Sequence, residues 1–564
     1  MEQDADDGAR SRGPQPRQEA ARPFAPGGPV DDRARALKRG CGRQPGPAMH
    51  DLISTAIPYA NGAPHIGHAY ERIATDAFVR FRRLQGSDVL FVTGMDEHGQ
   101  KMQRTAEREG LTPQGLADRT AGQFAELGAL LDAPADDVVR TTQERHKRAA
   151  QELWRRMEAN GDVHLAKYSG WYSIRDEAYF DEAELTTGEG GKRHAPSGAP
   201  VEWVEEESYF FRLSRYADRL LAHYEANPGF VTPEKYGNEI AAFVKRGLTD
   251  LSISRTTFDW GVPVPGDPRH VMYVWVDALT NYLTATGFPD EGPRNVYWPA
   301  AAHVIGKDIT RFHAIYWPAF LMSAGLPAPR RIVVHGFLFN RGEKMSKSVG
   351  NVVAPGDLVR RYGVDAVRYF FLREVPFGQD GNWSHEAIVN RINADLSNDL
   401  GNLAQRSLSM VAKNLDGRLP APHASGADDQ ALMAALDALP GKVAAAMDAF
   451  QPHQALADVW AVVGQANRHF AAAEPWKLRK TDPARMAAVL GIACEATRVF
   501  GVLTQAFMPG AAGRLLDLLA VPADARTLVH AGAKGRVPAG TALPAPTPIF
   551  PRYVEADEGA AAGA

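Results

Sequence analysis

Two groups of side chains able to hold phosphate stand far apart in the chain. His65 and His68 flank Gly67, a few residues after Pro58, Asn61 and Gly62. Lys344 and Lys347 belong to Lys344-Met345-Ser346-Lys347-Ser348, between Gly342 and Gly350. Imidazoles at a helix start can donate to an anion that the free N–H groups and the positive dipole end already attract. There Gly67 lets a nucleotide approach the backbone closely. Two lysines among small hydroxyl residues on a glycine-bounded loop suit a mobile clamp on a polyphosphate. Together the two groups describe a site that holds ATP and promotes attack on its α-phosphate. Each alone has a plainer reading: two surface histidines beside a turn, or a solvated basic loop.

Positioning such groups requires a particular set of elements. Leu52–Ile57 reads as a buried strand. From Gly67 an amphipathic helix is predicted, with Tyr70, Ile73, Ala74, Ala77, Phe78 and Phe81 on one face, and Val89–Thr93 follows as a second strand. A βαβ unit implies a parallel twisted sheet that binds ligands at the carboxyl ends of its strands. Two more strands are expected at Ala301–Ile305, running into Gly306–Asp308, and at Ile332–Val334, leading to the lysine loop. Between the βαβ unit and these later strands lies an insertion with short aromatic β-like runs, Gly170–Ile174 and Ser208–Leu213, around a polar turn-rich stretch, Thr186–Pro200. From Ser384 the period becomes helical, with Ile388, Ile392, Leu396, Leu400 and Leu403 on one face, which predicts an α-bundle.

Composition bounds the answer. The chain has 564 residues, 45% hydrophobic and 23% charged, as expected of a soluble protein of several domains. A net charge of −4 gives no global nucleic-acid footprint, so any RNA contact must rest on local patches. Cys41 and Cys494 are the only cysteines, which excludes a disulfide framework or a multi-cysteine zinc site and suits a reducing cytosol. No apolar run reaches the roughly 18 residues of a membrane span. Residues 1–48 hold seven Pro, seven Gly and nine Arg or Lys, and few large apolar side chains; they are expected to be disordered. Met49, directly before the first strand, is an alternative translation start. Native N-terminal peptides from 1–48 would refute that start.

At this point the chain resembles the class I aminoacyl-tRNA synthetases, and within them the zinc-free methionyl branch, from Met49 to about Arg552. The resemblance rests on Ala56-Ile57-Pro58-Tyr59-Ala60-Asn61-Gly62, Asp96-Glu97-His98-Gly99 and Tyr273-Val274-Trp275-Val276-Asp277-Ala278. Ile305-Gly306-Lys307-Asp308, Phe312-His313 and the lysine loop complete the set. The fold it implies is α/β, a Rossmann-like parallel sheet interrupted by a connective domain and followed by a helical anticodon-binding bundle. The boundaries expected are an extension (1–48), two halves of the sheet domain (49–163 and 259–340), an insertion without zinc (164–258), the lysine loop and linker (341–384), the bundle (385–529) and a tail (530–564).

The activity implied is ATP-dependent activation of L-methionine to methionyl-adenylate and transfer to the 3′-terminal adenosine of tRNA(Met), initiator tRNA included. Another class I synthetase and a non-catalytic tRNA-binding relative are the alternatives. His65, His68, Lys344 and Lys347 would be catalytic. ATP would also meet Gly306 and Asp308, with Mg²⁺ on its phosphates. Methionine would meet Ile57, Tyr59, Asp96, Trp275, Ala278, Tyr282, Ile309 and His313. Aromatic walls suit a polarizable thioether, and a carboxylate suits an ammonium. Seven residues between Trp275 and Tyr282 is equally the spacing of plain core packing, and Asp308 equally suits a helix cap. Leu279 replaces a proline expected in many relatives. Asn402, Arg406 and Trp476 would read the anticodon, the indole stacking a base; the plainer alternative is that Trp476 caps the bundle core and Asn402 points to water. With no cysteine between 42 and 493, a lone His194 cannot hold zinc. Too little chain follows the bundle for an appended oligomer-forming barrel. A cytoplasmic monomer without a membrane partner is therefore expected.

Overall fold

A computed structural model describes residues 49–175, 178–188, 191–340, 343–344 and 353–555. The expected extension 1–48 lies outside them. Six strands form the central sheet: β1 (His50–Thr55), β2 (Asp88–Met95), β3 (Asp137–Arg140), β4 (Val231–Thr232), β5 (Ala302–Gly306) and β6 (Arg331–His335). Their order is β3-β2-β1-β5-β6-β4 and every pairing is parallel. The order reverses at β1, so β1 and β5 open a crevice at their carboxyl ends, where open α/β sheets take ligands. Leu52 and Ile53 of β1, Phe91 and Val92 of β2, and Val333 and Val334 of β6 are all buried, as strands covered on both faces require.

Helix α1 (Ile66–Leu84) begins one residue before the predicted start, and all six predicted face residues are buried. They pack into a core that continues through Val367, Phe370 and Phe371 of α2 (Val364–Glu374) to the bundle. Arg368 of α2, fully buried, ties these layers: it donates to Phe507 O at 3.0 Å, to Leu131 O at 3.0 Å and to Asp76 of α1 at 2.5 Å.

The inserted region is built on a long antiparallel pair, Val163–Ser173 with Glu202–Phe211. A small apolar cluster of Ala195, Ala199 and Val201 is covered by Trp171, Phe180 and Leu185. The range expected as an insertion (164–258) is not wholly separate from the sheet. Val231–Thr232 lies inside it and adds the last strand, β4, against β6. Two residues are too short a run to carry a strand period, so sequence reasoning passed over it.

In the helical region the predicted face residues Ile388, Ile392, Leu396, Leu400 and Leu403 are all buried. Their repeated spacing of four has a cause: Ile392–Gly401 is a π-helix, whose wider turn brings i and i+4 closer to register than an α-helix does. Asp429 joins three bundle helices by accepting from His469 Nε2 at 2.6 Å and from both Arg485 Nη atoms. The Arg485 guanidinium holds that carboxyl well below the usual carboxylate range. Among the described residues one helix, Pro483–Thr504, is apolar and long enough to cross a membrane, but 94% of its most apolar window is buried within the protein. The stretch expected as a tail is ordered through residue 555. Arg498 holds the carbonyls of His530 and Ala531, and Tyr553 and Glu555 meet Arg361 at 2.8 and 3.0 Å.

Candidate active site

His65 is the N-cap of α1. Its Nδ1 accepts from Gly67 N–H at 3.1 Å, and its own N–H donates to His68 Nδ1 at 3.2 Å. This is a capping box made of two histidines, in the place where serine and glutamate are usual. The rings stack 3.9 Å apart, and His68 lies edge-on to Phe124 at 5.0 Å. Burial, then the neighbouring His65 ring, pushes His68 down to about 3. His68 is therefore neutral at pH 7, and because Nδ1 accepts, its proton sits on Nε2. His65 Nδ1 also accepts, from Gly67 N–H, which leaves the ring proton of His65 on Nε2. The local fold thus presents two Nε2–H donors side by side at a helix N-terminus. Gly67 has a second reason to be glycine: a Cβ there would stand 2.8 Å from His65 Cε1 and push the ring out of its stack.

The β5 end supplies Gly306 and Asp308. A Cβ on Gly306 would meet Asp308 Oδ1 at 2.7 Å, so the exposed carboxylate folds back over bare backbone. A short 3-10 turn, Lys307–Ile309, begins here with Gly306, not Asp308, at its N-cap. Beside it His335 of β6 pairs with Glu71 of α1 at 2.9 Å. Burial raises Glu71, with Asp308 adding to the effect, whereas the Glu71 partner raises His335 against its own burial. Sequence reasoning missed both. Glu71 lies one turn after His68, which is the signal that could have found it.

From β6 the chain enters Leu338–Asn340, which pairs antiparallel with Glu343–Lys344 (Phe339 opposite Lys344) and parallel with Gly381–Trp383. Lys344 is placed by this ladder alone. Lys347 lies outside the described residues. The carboxyl ends of β1 and β6 are two strands apart, about 10 Å by ordinary sheet spacing.

The residues expected to hold methionine gather on three walls. Tyr59 and Asp96 form a parallel bridge, with Ala60 N–H donating to Asp96 O at 2.8 Å; Asp96 is 7% exposed. Ile57 packs over Gly94, where a Cβ would lie 2.7 Å from its Cγ2. Trp275 and Ala278 sit on the short helix Val274–Leu279, and Trp275 stacks on Phe312 at 3.8 Å and 5°. His313 lies edge-on to Trp275 and receives the Tyr282 hydroxyl at 2.8 Å. Its Nδ1–H donates to Ile309 O at 3.0 Å, so Nε2 is the acceptor, and burial lowers the ring to about 4. Burial raises Tyr282. Both stay neutral at pH 7. His313 sits in a one-turn π segment, Phe312–Tyr316, the kind of irregularity that often marks function.

In the bundle, Arg406 lies over the Trp476 ring at 5.1 Å and over Phe470 at 5.0 Å. Asn402 is exposed one turn before it on Asn402–Asn414, and Trp476 keeps 44% of its surface exposed. Trp476 does not close the core. The three residues share one solvent-facing corner.

Residues 51–408 match the family model described as tRNA synthetases class I (M), and residues 419–561 match the anticodon binding domain of methionyl tRNA ligase. The chain belongs to the class I tRNA synthetases of the methionyl branch. A methionine–tRNA ligase of Brucella suis biovar 1 (strain 1330) is 61% identical over 507 residues, which cover 90% of this chain and 98% of that one. Among solved structures, the Mycobacterium tuberculosis methionyl-tRNA synthetase in complex with methionyl-adenylate matches with a TM-score of 0.87. It is 55% identical, over 89% of this chain and 100% of that one. The apo form of the same enzyme matches with a TM-score of 0.82 and 52% identity, over 90% of this chain and 99% of that one. Rossmann-like sheet and helical anticodon-binding region are both shown. The second match explains the ordered stretch after the bundle, since the anticodon domain extends to residue 561.

Proposed function

We infer that this synthetase is a methionine–tRNA ligase that uses ATP as a substrate. The observation that carries the catalytic reading is the pair of fixed Nε2–H donors at the α1 N-terminus, beside the carboxyl ends of β1 and β5. The carboxylate of L-methionine attacks the ATP α-phosphorus; the bond to the β-phosphate oxygen breaks and pyrophosphate leaves. That nucleophile is anionic at pH 7, so no general base is needed, and the catalytic work is alignment plus stabilisation of charge on the phosphoryl oxygens. His65 and His68 donate to those oxygens, Lys344 and Lys347 close over the triphosphate, and Gly306 and Asp308 hold the ribose side. Glu71 and His335 support the same rim. A hydroxyl of the terminal adenosine of tRNA then attacks the mixed anhydride, and AMP leaves.

Asp96 pairs with the substrate ammonium, and Ile57, Tyr59, Trp275, Ala278, Tyr282, Ile309 and His313 enclose the thioether. Among the described residues no group of three or more His, Cys, Asp and Glu could hold a metal ion, so Mg²⁺ would arrive on the phosphates as MgATP. The insert would fold on Trp171, Phe180 and Leu185 without zinc. Asn402, Arg406 and Trp476 read the anticodon of elongator and initiator tRNA(Met), in a cytoplasmic monomer. Amino-acid-dependent ATP–pyrophosphate exchange tests the reading: methionine supports exchange, whereas cysteine, leucine and isoleucine do not. Exchange with another amino acid, or with none, would overturn it.

A further inference from the structure

The Tyr273–Ala278 segment contains one residue that the catalytic reading leaves without a task. Asp277 lies between Trp275 and Ala278 and is 1% exposed. Its two oxygens take two imidazoles: His98 Nδ1 donates to Oδ2 at 2.7 Å, and His146 Nε2 donates to Oδ1 at 2.7 Å. Both rings are buried. A carboxylate at this depth must be paired, and here the two imidazole donors supply the pairing. They hold the carboxyl down to about 2 against the opposing effect of burial.

Each partner leads to a different wall of the methionine pocket. His98 follows Asp96 by two residues, and its carbonyl receives the Tyr59 hydroxyl at 2.7 Å. His146 stands on Glu144–Ala159, outside every recognised motif, with Nδ1 3.0 Å from Thr284 Oγ1. Thr284 shares the short helix Asn281–Thr286 with Tyr282. One carboxylate therefore links the ammonium wall, the indole wall and the phenol wall. None of the elements it links carries His65, His68, Gly306 or Asp308.

We propose that Asp277, held by His98 and His146, is a positioning residue for amino-acid recognition, setting the register of the three walls around methionine. The proposal rests on the methionine-pocket reading. Removing the charge lets the walls drift, and displacements near 1 Å cost about 10²-fold in such sites. Asp277→Asn should raise KM for methionine about tenfold or more in pyrophosphate exchange while KM for ATP stays within about twofold. A merely structural role would move both constants together.

If Asp277→Asn does not fold, His98→Ala and His98→Asn carry the test. The asparagine amide stands where Nδ1–H stood, so it should recover most of the methionine KM lost with alanine. Trp275→Ala serves as the control on the pocket itself. A raised methionine KM in that control, with a folded Asp277→Asn unchanged, overturns the proposal alone. An unchanged Trp275→Ala overturns the pocket reading. Parallel rises in both KM values, or His98→Asn no better than His98→Ala, also overturn the proposal.

Discussion

His68 does two things at once, and two substitutions separate them. Its Nδ1 satisfies the His65 N–H at the start of α1, whereas its Nε2–H is the donor proposed for phosphate. Asparagine places Oδ1 where Nδ1 stood, so His68→Asn keeps the cap and deletes the outward donor; His68→Ala deletes both. Losing one preorganised donor to a developing oxyanion costs about 10²–10³ in kcat. Losing a capping acceptor costs about 1 kcal/mol of stability. Both variants should therefore lose about 10²–10³ in the rate of methionyl-adenylate formation, with KM for methionine nearly unchanged. Only His68→Ala should lose about 1 kcal/mol in urea unfolding. Methionine-dependent pyrophosphate exchange and equilibrium unfolding on the same preparations decide it. A His68→Asn enzyme within about threefold of the parent rate would refute the donor role. Equal stability loss in both variants would refute the tautomer assignment.

Lys347→Ala should lower the rate of adenylate formation far more than methionine affinity, read by single-turnover kinetics against methionine titration; an unchanged rate would remove the clamp role. Trp476→Ala should cost the stacking energy of one base, about 1–3 kcal/mol. KM for tRNA(Met) should rise accordingly in aminoacylation while pyrophosphate exchange stays unaffected. For Asp277, held near 2 in the fold against an ordinary value near 4, stabilisation is complete above about pH 4 and fades as pH falls through about 2. That amounts to about 2 kcal/mol, so stability to urea should decline more steeply between about pH 4 and pH 2 for the parent than for Asp277→Asn. Zinc chelation with Mg²⁺ in excess should leave activity unchanged, and a stoichiometric tightly bound zinc ion would contradict the zinc-free insert.

What could be read ahead of the structure was local. The start of α1, its buried face and the strands on either side follow from one continuous stretch, His50 to Met95, where periodicity and turn residues act directly. Edges slipped where the local signal was thin. β1 begins at His50, before the expected Leu52, because strand pairing with Asp88 extends it past its apolar run. β3 and β4 were not foreseen, since four and two residues carry too little period to announce a strand. The stretch after the bundle reads as a tail because Pro, Gly and Ala cannot build a core. Its order comes instead from Arg498 and Arg361 reaching out to hold it.

The support behind the site was illegible for a different reason. Asp277 meets His98 across 179 positions of sequence and His335 meets Glu71 across 264. No spacing rule reaches that far; only the tertiary fold brings the carriers together. Motif residues that touch substrate recur in recognisable strings because geometry at one strand end dictates them. Residues that hold those strings in register answer to partners on other elements, and a single sequence carries no mark of the partnership. His146 is the sharpest case: an unremarkable histidine outside every motif, fully buried, donating at 2.7 Å to the carboxylate between Trp275 and Ala278. The motifs were therefore readable in the chain, but the side chains that brace them are identified only in the folded protein.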